Sequence, residues 1–428
     1  MSPRARFASA VAKAATWASR ASGRGAGGMI GGLIAQKLDP GILGQLGGGR
    51  PAVIVTGTNG KSTTTRMLAA ALRAAGQSVA TNDGGDNMDA GVISALMAAP
   101  DADSLVLEVD ELHVAHIAAD LAPRALVLLN LSRDQLDRVG EINKIEASLR
   151  AAVNANPQAT VIANCDDPLI ASAAWDARNV VWVSAGGGWT NDATSCPRTG
   201  GPIIRDGDDW HAVKPLADGS KFARPVPAWK LGADGVSTPF GSTLPMNLKL
   251  PGDANRGNAT LALAAAVEMG AGAVAALGAV EQVDSVAGRY STIPVGEHEV
   301  RMLLAKNPAG WQEALSMVDR SADAVVIAVN GHVADGEDLS WLWDVKFEDF
   351  GGMHVVASGE RGTDLAVRLL YAGIEHDLVP DPLRGIRSCP AGRVEVLANY
   401  TAFRDLRKAI DRAGKTGAGA TGDEGRRA

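Results

Sequence analysis

Ala52-Val53-Ile54-Val55-Thr56-Gly57-Thr58-Asn59-Gly60-Lys61-Ser62-Thr63 joins an unbroken apolar run to the start of an alanine-rich stretch. Four consecutive apolar residues bounded by turn formers read as a buried strand, and Ser62 to Ala75 reads as a helix. Together they make one βα unit. At such a junction the backbone N–H groups and the helix dipole converge on an anion. Gly57 and Gly60 let the backbone close around phosphate, Lys61 neutralises its β/γ end, and the Ser62 hydroxyl suits Mg2+. Gly57, Thr58, Asn59, Gly60, Lys61, Ser62 and Thr63 are therefore the expected cradle for ATP. Val55 stands where the full G-x-x-x-x-G-K-[ST] spacing wants glycine, so the loop is a shortened variant.

Outward from this unit the alternation continues. Short apolar runs at residues 105–107, 125–129, 160–163 and 180–183 are separated by helical or polar stretches, which implies a mostly parallel, doubly wound sheet. From about 184 to 246 the text turns to Gly, Asp, Pro and Trp with little periodicity, as expected of an insertion or a small β-rich excursion. A long Ala/Leu helix follows near Asn258 to Glu268. A second alternation begins near Arg289, with strands at 324–328 and 354–357. The expected organisation is a basic helical lead-in over 1–50, a central α/β ATP-binding domain over 51–285, a second α/β domain over 286–412, and a disordered Gly-rich tail over 413–428.

Bulk composition agrees with this class. The chain has 428 residues, too many for one core, and is 46% hydrophobic but only 4% aromatic, which favours helices packed closely on a sheet. A formal net charge of -7 provides no general basic field for nucleic acid. Cys165, Cys196 and Cys389 are odd in number and widely spaced, which is neither a disulfide framework nor a CxxC metal pair, and a cytoplasmic setting is the simpler expectation. The opening stretch carries Arg4, Arg6, Lys13, Arg20 and Arg24 with no acidic residue. That pattern reads either as a targeting or membrane-contacting segment or as a basic amphipathic helix belonging to the domain. No run reaches the roughly 18 apolar residues that a membrane span needs.

Thr56 to Thr63 resembles the ATP loop of the Mur ligases and folylpolyglutamate synthetases. Leu107-Glu108-Val109-Asp110-Glu111, residues 130–137, residues 164–168 and Asn255-Arg256-Gly257-Asn258 resemble further motifs of that family, in the family's order. The resemblance implies a central P-loop ATPase domain with a parallel sheet and a C-terminal Rossmann-like domain. Gln135 stands where amino-acid-adding members carry histidine. With residues 305–310 and 335–344, it resembles an amidating branch of the family whose ligase-like subunit works with a GatD-like glutaminase. That branch implies ATP and Mg2+ as cofactors and lipid II at the membrane surface as substrate. ATP would phosphorylate the D-glutamate α-carboxyl of the stem peptide, and ammonia from the glutaminase would displace the phosphate. Alternatives are a ligase that adds a whole amino acid and a non-catalytic nucleotide sensor.

Several single residues are weighed on the same basis. Glu108 ends an apolar strand at the ligand-collecting edge of the sheet and is the expected Mg2+ carboxylate, with Asp110 and Glu111 as substitutes. Asn130, Asp134 and Gln135 follow another strand end, beside the phosphates. By the resemblance, several Mur ligases carry a carbamylated lysine after this segment, and neither Lys144 nor Glu146 is assigned that role. His113 and His116 with Glu111 could share a helix face, though a third nitrogen or sulfur ligand is missing. Asn255 and Asn258 suit either helix capping or, by the resemblance, the nucleotide base. Cys196-Pro197-Arg198-Thr199-Gly200 resembles the start of a zinc ribbon in which Thr199 replaces the second cysteine, so zinc is not expected. Asp344 is the carboxylate expected to reach the partner's catalytic histidine, with Asp338 and Asp349 as competitors.

Overall fold

A computed structural model describes the chain except for residues 22–27, 83–85, 134–140, 187–191, 285–289, 351 and 421–428. It forms two compact units, one of Met1–Ser132 with Gly140–Val286 and one of Arg133–Val139 with Ala287–Ala428.

The first unit opens with three helices, α1 (Pro3–Ala21), α2 (Gly28–Leu38) and α3 (Ile42–Gly47). The alternating part follows as β1 (Ala52–Thr56), α4 (Lys61–Ala74), β2 (Val79–Thr81), α5 (Asp89–Ala98), β3 (Ser104–Glu108), α6 (Val114–Leu121) and β4 (Ala125–Leu128). It continues as α7 (Glu141–Ala155), β5 (Thr160–Asn164), α8 (Pro168–Ala174) and β6 (Asn179–Ser184). β1 and β3 are buried along their whole length, as their unbroken apolar runs require. The chain pairs β1 with β3 on one side and with β4 on the other, all parallel. β1 thus lies where successive connections leave to opposite sides, and the loop that follows it opens into the crevice at a topological switch point.

The stretch read as an excursion divides in two. β7 (Ile203–Asp206) and β8 (Asp209–Ala212) form a separate hairpin, whereas β9 (Trp229–Gly232), β10 (Gly235–Ser237) and β11 (Thr243–Leu244) return to extend the main sheet beyond β6. Cys196 is buried with Ala171, Trp210, Ala212 and Phe222, and the Phe222 ring lies 4.7 Å from Trp175 and 5.0 Å from Trp210. Arg198, beside the missing ribbon cysteine, donates to the Ser172 carbonyl at 2.7 Å and to the Asp176 carboxylate at 2.7 Å. Aromatic packing and a guanidinium hold the knuckle on α8. Burial pushes the Cys165 thiol up to about 12 and the Cys389 thiol up to about 11. Both should therefore stay protonated and resist iodoacetamide at pH 8 in the native protein, while reacting fully in guanidinium. Rapid native alkylation followed by mass spectrometry would contradict that burial.

The unit closes with α9 (Asp253–Glu268) and α10 (Ala273–Glu281). Gly252, at φ 91°, precedes α9 and offers no side-chain cap. The expectation that Asn255 and Asn258 open this helix is thus corrected. They are its third and sixth residues, because the helix starts five residues earlier than the Ala/Leu pattern shows.

The second unit holds β12 (Tyr290–Val295), β13 (His298–Leu304), α11 (Pro308–Met317), β14 (Ala324–Ala328), β15 (His354–Ser358), α12 (Gly362–Tyr371), β16 (Asp377–Leu378), α13 (Pro382–Ser388), β17 (Gly392–Ala398) and α14 (Tyr400–Ala420). Its sheet runs β12-β13-β17-β14-β15-β16 and is parallel except for the β12–β13 hairpin. Asn307 caps α11 by accepting from the Gly310 N–H at 2.7 Å, with Pro308 at the first helical position. Trp311 is fully buried and stacks on Trp341 at 5.4 Å. Residues 413–420 lie within α14, and 421–428 are outside the described residues.

Candidate active site

The β1–α4 loop is built to lie against backbone. Gly57 has φ 136°, and a Cβ there would meet the Asn130 N and O at 2.9 Å, so only glycine fits. Gly60 has φ 84°, and a Cβ would collide with the Asn258 Oδ1. Asn258, 198 positions away, therefore closes the loop from α9. Asn255 instead donates to the Pro251 carbonyl at 2.7 Å and fixes the turn entering that helix.

Asn130 clamps the loop from the end of β4. The Thr58 N–H donates to its carbonyl at 2.9 Å, the Asn59 N–H to its Oδ1 at 2.9 Å, and its Nδ2 donates to the Asn59 carbonyl at 3.0 Å. The Ser132 N–H donates to the Thr58 Oγ1 at 3.0 Å. Asp134 and Gln135 lie outside the described residues. One residue missed by sequence reading anchors this clamp. Asp167 accepts from the Leu131 N–H at 2.7 Å while capping α8 through the N–H groups of Leu169 and Ile170. Asp-Pro at a helix start signals the cap, but not the bond to residue 131.

Burial pushes the Asp167 carboxyl up to about 6, opposed by those three N–H donors and by Arg205. Its folded value lies above that of the free side chain, so folding favours the protonated form. The group's contribution to stability is then lost as pH rises through about 6. Asp167→Asn should gain stability relative to the wild type as pH rises from about 4 to about 6, read from urea midpoints. Asp167→Ala should lose about 1–2 kcal/mol through the cap alone. Parallel urea curves for Asp167→Asn and wild type across that range would remove the assignment.

Lys61 is buried, and its Nζ donates to the Gly57 carbonyl at 2.6 Å and the Thr58 carbonyl at 3.2 Å. Glu111, also buried, faces the same ammonium at 3.4 Å. The pairing is absent from any local pattern, since the partners are 50 positions apart. It also means that Glu111 does not join His113 and His116. Those two imidazoles share Asp89 instead, at 3.1 and 3.5 Å, and no metal-holding group of three or more His, Cys, Asp or Glu occurs among the described residues.

Glu108 is 1% exposed at the end of β3, level with Val55 of β1. Its backbone is tied to Asn82, whose Oδ1 accepts from the Glu108 N–H at 2.8 Å and whose Nδ2 donates to the Glu108 carbonyl at 2.7 Å. The carboxylate Oε2 has no hydrogen-bond partner among the described residues. A buried, orphaned carboxylate oxygen is costly unless a cation completes it, so the donor set of Glu108 with the buried Ser62 hydroxyl fits Mg2+. Asp110 accepts locally from the Leu112 N–H at 3.2 Å. Glu146 is fully buried against Ser172 at 2.6 Å, while Lys144, two residues before it, is exposed.

Two family models match the chain, the Mur ligase middle domain over residues 55–266 and the MurT ligase C-terminal domain over residues 304–403. The chain is 27% identical to the lipid II isoglutaminyl synthase (glutamine-hydrolyzing) subunit MurT of Staphylococcus aureus strain COL, over 94% of this chain and 97% of that one. It is 28% identical to the subunit of the same name from Streptococcus pneumoniae, over 90% and 93%. The chain belongs to the MurT family of Mur ligases. Its fold also matches a pseudomurein peptide ligase type C from Methanothermus fervidus, with TM-score 0.66 and 17% identity over 87% and 80% of the two chains. MurF from Acinetobacter baumannii matches with TM-score 0.61 and 17% identity over 88% and 80%.

Mur ligases are ATP-dependent, and the MurT-family chain is an ATP-dependent ligase of that kind. Its expected loop residues, Gly57 to Thr63, lie against Asn130 and Asn258, with Glu111 on the Lys61 ammonium and Glu108 at the end of the neighbouring strand β3. Asp344 belongs to the other unit. It follows a 3-10 turn at Ser340–Trp343 and lies 3.7 Å from Arg133. Asp338 is occupied locally, accepting from the Ser340 N–H at 2.8 Å. Among the described residues no helix is long and apolar enough to cross a membrane.

Proposed function

We propose that this chain is the ligase subunit of a two-component amidotransferase that converts the D-glutamate α-carboxyl of the lipid II stem peptide to the amide at the inner face of the membrane. A carboxylate oxygen attacks the γ-phosphorus of ATP, ADP leaves, and the acyl phosphate has a good leaving group where hydroxide would have been a poor one. Ammonia from a GatD-like glutaminase then attacks the carbonyl carbon, and inorganic phosphate departs with the bonding pair.

The observation that carries this reading is the pairing of an amide-rich turn around Lys61 with the orphaned Oε2 of Glu108. Glu108 and Ser62 would hold Mg2+, which would supply positive charge against the negative charge developing on the transferring phosphate. The chain's own groups supply the rest. Backbone N–H groups at the start of α4 bind phosphate oxygen, Lys61 exchanges Glu111 for the transferring group, and Asn130 with Asn258 keeps the turn closed. Asp344 would orient the partner's catalytic imidazole in trans.

The test is reconstitution with a co-purifying glutaminase, glutamine, Mg·ATP and lipid II, followed by mass analysis. A product bearing one amide in place of one carboxyl supports the proposal. Addition of a whole residue would assign the chain to amino-acid ligation, and nucleotide binding without turnover would make it a sensor.

A further inference from the structure

α1 and α2 pack in an inverted sense. The fully buried residues of α1 are small, with Ala5, Ala8 and Ala12 at 0% exposure, while its largest apolar side chains, Phe7 and Trp17, are 63% and 74% exposed. A helix stabilised by its own domain normally does the reverse, burying its large apolar residues and exposing small or polar ones. α2 repeats the arrangement. A Cβ at Gly31 would strike Thr16 of α1, and one at Gly32 would strike the Ala90 carbonyl of α5, so this helix is held by glycine contacts. Its Ile30 and Leu33 remain exposed beside Lys37.

Charge follows the same division. Arg6 and Lys13 are exposed on α1 and share the helix face of Phe7 and Trp17, since residues 6, 7, 13 and 17 fall within about 120° of one another at 100° per residue. The first 38 residues contain six basic side chains and no acidic one, so the remainder carries a formal -13, six below the whole-chain -7. Against that acidic remainder, the basic, aromatic-bearing face of α1 has the charge complementary to an anionic surface. Aromatic rings interleaved with Lys and Arg match the boundary of an anionic bilayer, where rings enter the headgroup region and cations meet phosphate.

We infer that the outward face of α1, with Phe7, Trp17, Arg6 and Lys13, docks the protein on an anionic phospholipid surface, α2 adding Ile30, Leu33 and Lys37. This rests on the helices and not on the ATP chemistry, though it would hold the ligase beside a lipid-linked substrate.

Flotation of the full-length protein with phosphatidylcholine vesicles, with and without phosphatidylglycerol, tests it. Binding should require phosphatidylglycerol and fall with added salt. Arg6→Gln with Lys13→Gln should weaken it about twenty-five-fold, at roughly fivefold per basic residue. Phe7→Ser with Trp17→Ser should also release the protein. These side chains face solvent, so thermal melting and Mg·ATP binding should match the wild type, which separates failure here from failure of the ligase reading. Absence of binding to either vesicle overturns the inference, and so does equal binding to both. It is likewise overturned if the substitutions leave vesicle binding intact but break association with the glutaminase, since the face would then belong to a protein partner.

Discussion

Lys61→Ala is expected to lower ATP-dependent amidation by about a thousandfold or more, the scale on which preorganised charge at a transferring phosphoryl group acts. The ammonium is already fixed by the Gly57 and Thr58 carbonyls and faces the Glu111 carboxylate at 3.4 Å, which on the proposed scheme a phosphate oxygen replaces. Replacing ammonium by methyl removes the attraction and also strands Glu111 as a buried carboxylate, which costs about 3–5 kcal/mol of stability. The two effects can be separated. Glu111→Gln added to Lys61→Ala should restore the melting temperature and leave the activity lost. Glu108→Gln keeps the side chain's shape and removes the charge that awaits a cation, so it should weaken Mg·ATP binding and turnover while leaving nucleotide-free stability equal or higher. Phosphate release and calorimetry read these outcomes. A Lys61→Ala enzyme within tenfold of wild type would end the phosphoryl-transfer account.

The βα unit at residues 52–74 was legible because strand, loop and helix are each written locally. Apolar continuity marks β1, the glycines mark the turn, and alanine spacing marks α4. The same logic placed Glu108 at a strand end. What the sequence hid is what depends on distant partners. Nothing near Gly60 announces that Asn258 will press on it, and nothing near Lys61 announces Glu111. β13 and β17 escaped notice because Arg301 and Glu395 interrupt their apolar text. In the sheet those residues sit in register and pair at 2.7 Å, with Glu395 fully buried and its carboxyl pushed up by desolvation against the pull of Arg301. A charge that looks like a strand breaker in one dimension is matched across the ladder in three. β9 escaped for a related reason, since returning to the main sheet after a 44-residue detour from β6 leaves no periodic trace.

Asp344→Asn is expected to abolish glutamine-supported amidation by about two to four orders of magnitude while leaving ammonium-supported amidation near wild type. Asparagine keeps the shape but cannot hold an imidazolium or fix its tautomer. On the proposed scheme the ligase half reaction, which uses ammonia from any source, does not involve this carboxylate. The surroundings of Asp344 suit a docking face. Trp343, 55% exposed, meets the exposed Tyr371 ring edge-on at 5.3 Å, and Leu370 is exposed on the same helix as Tyr371. Exposed apolar side chains clustered beside a carboxylate are what an obligate partner would cover. Trp343→Ala should therefore weaken co-purification of the glutaminase, whereas Asp344→Asn should leave the complex intact and silence it. The Arg133 contact at 3.7 Å supplies a further control, because Arg133→Gln removes the neighbouring cation without touching the carboxylate. Equal loss of glutamine- and ammonium-supported rates in an intact Asp344→Asn complex would place this residue in the ligase reaction and refute its role in trans.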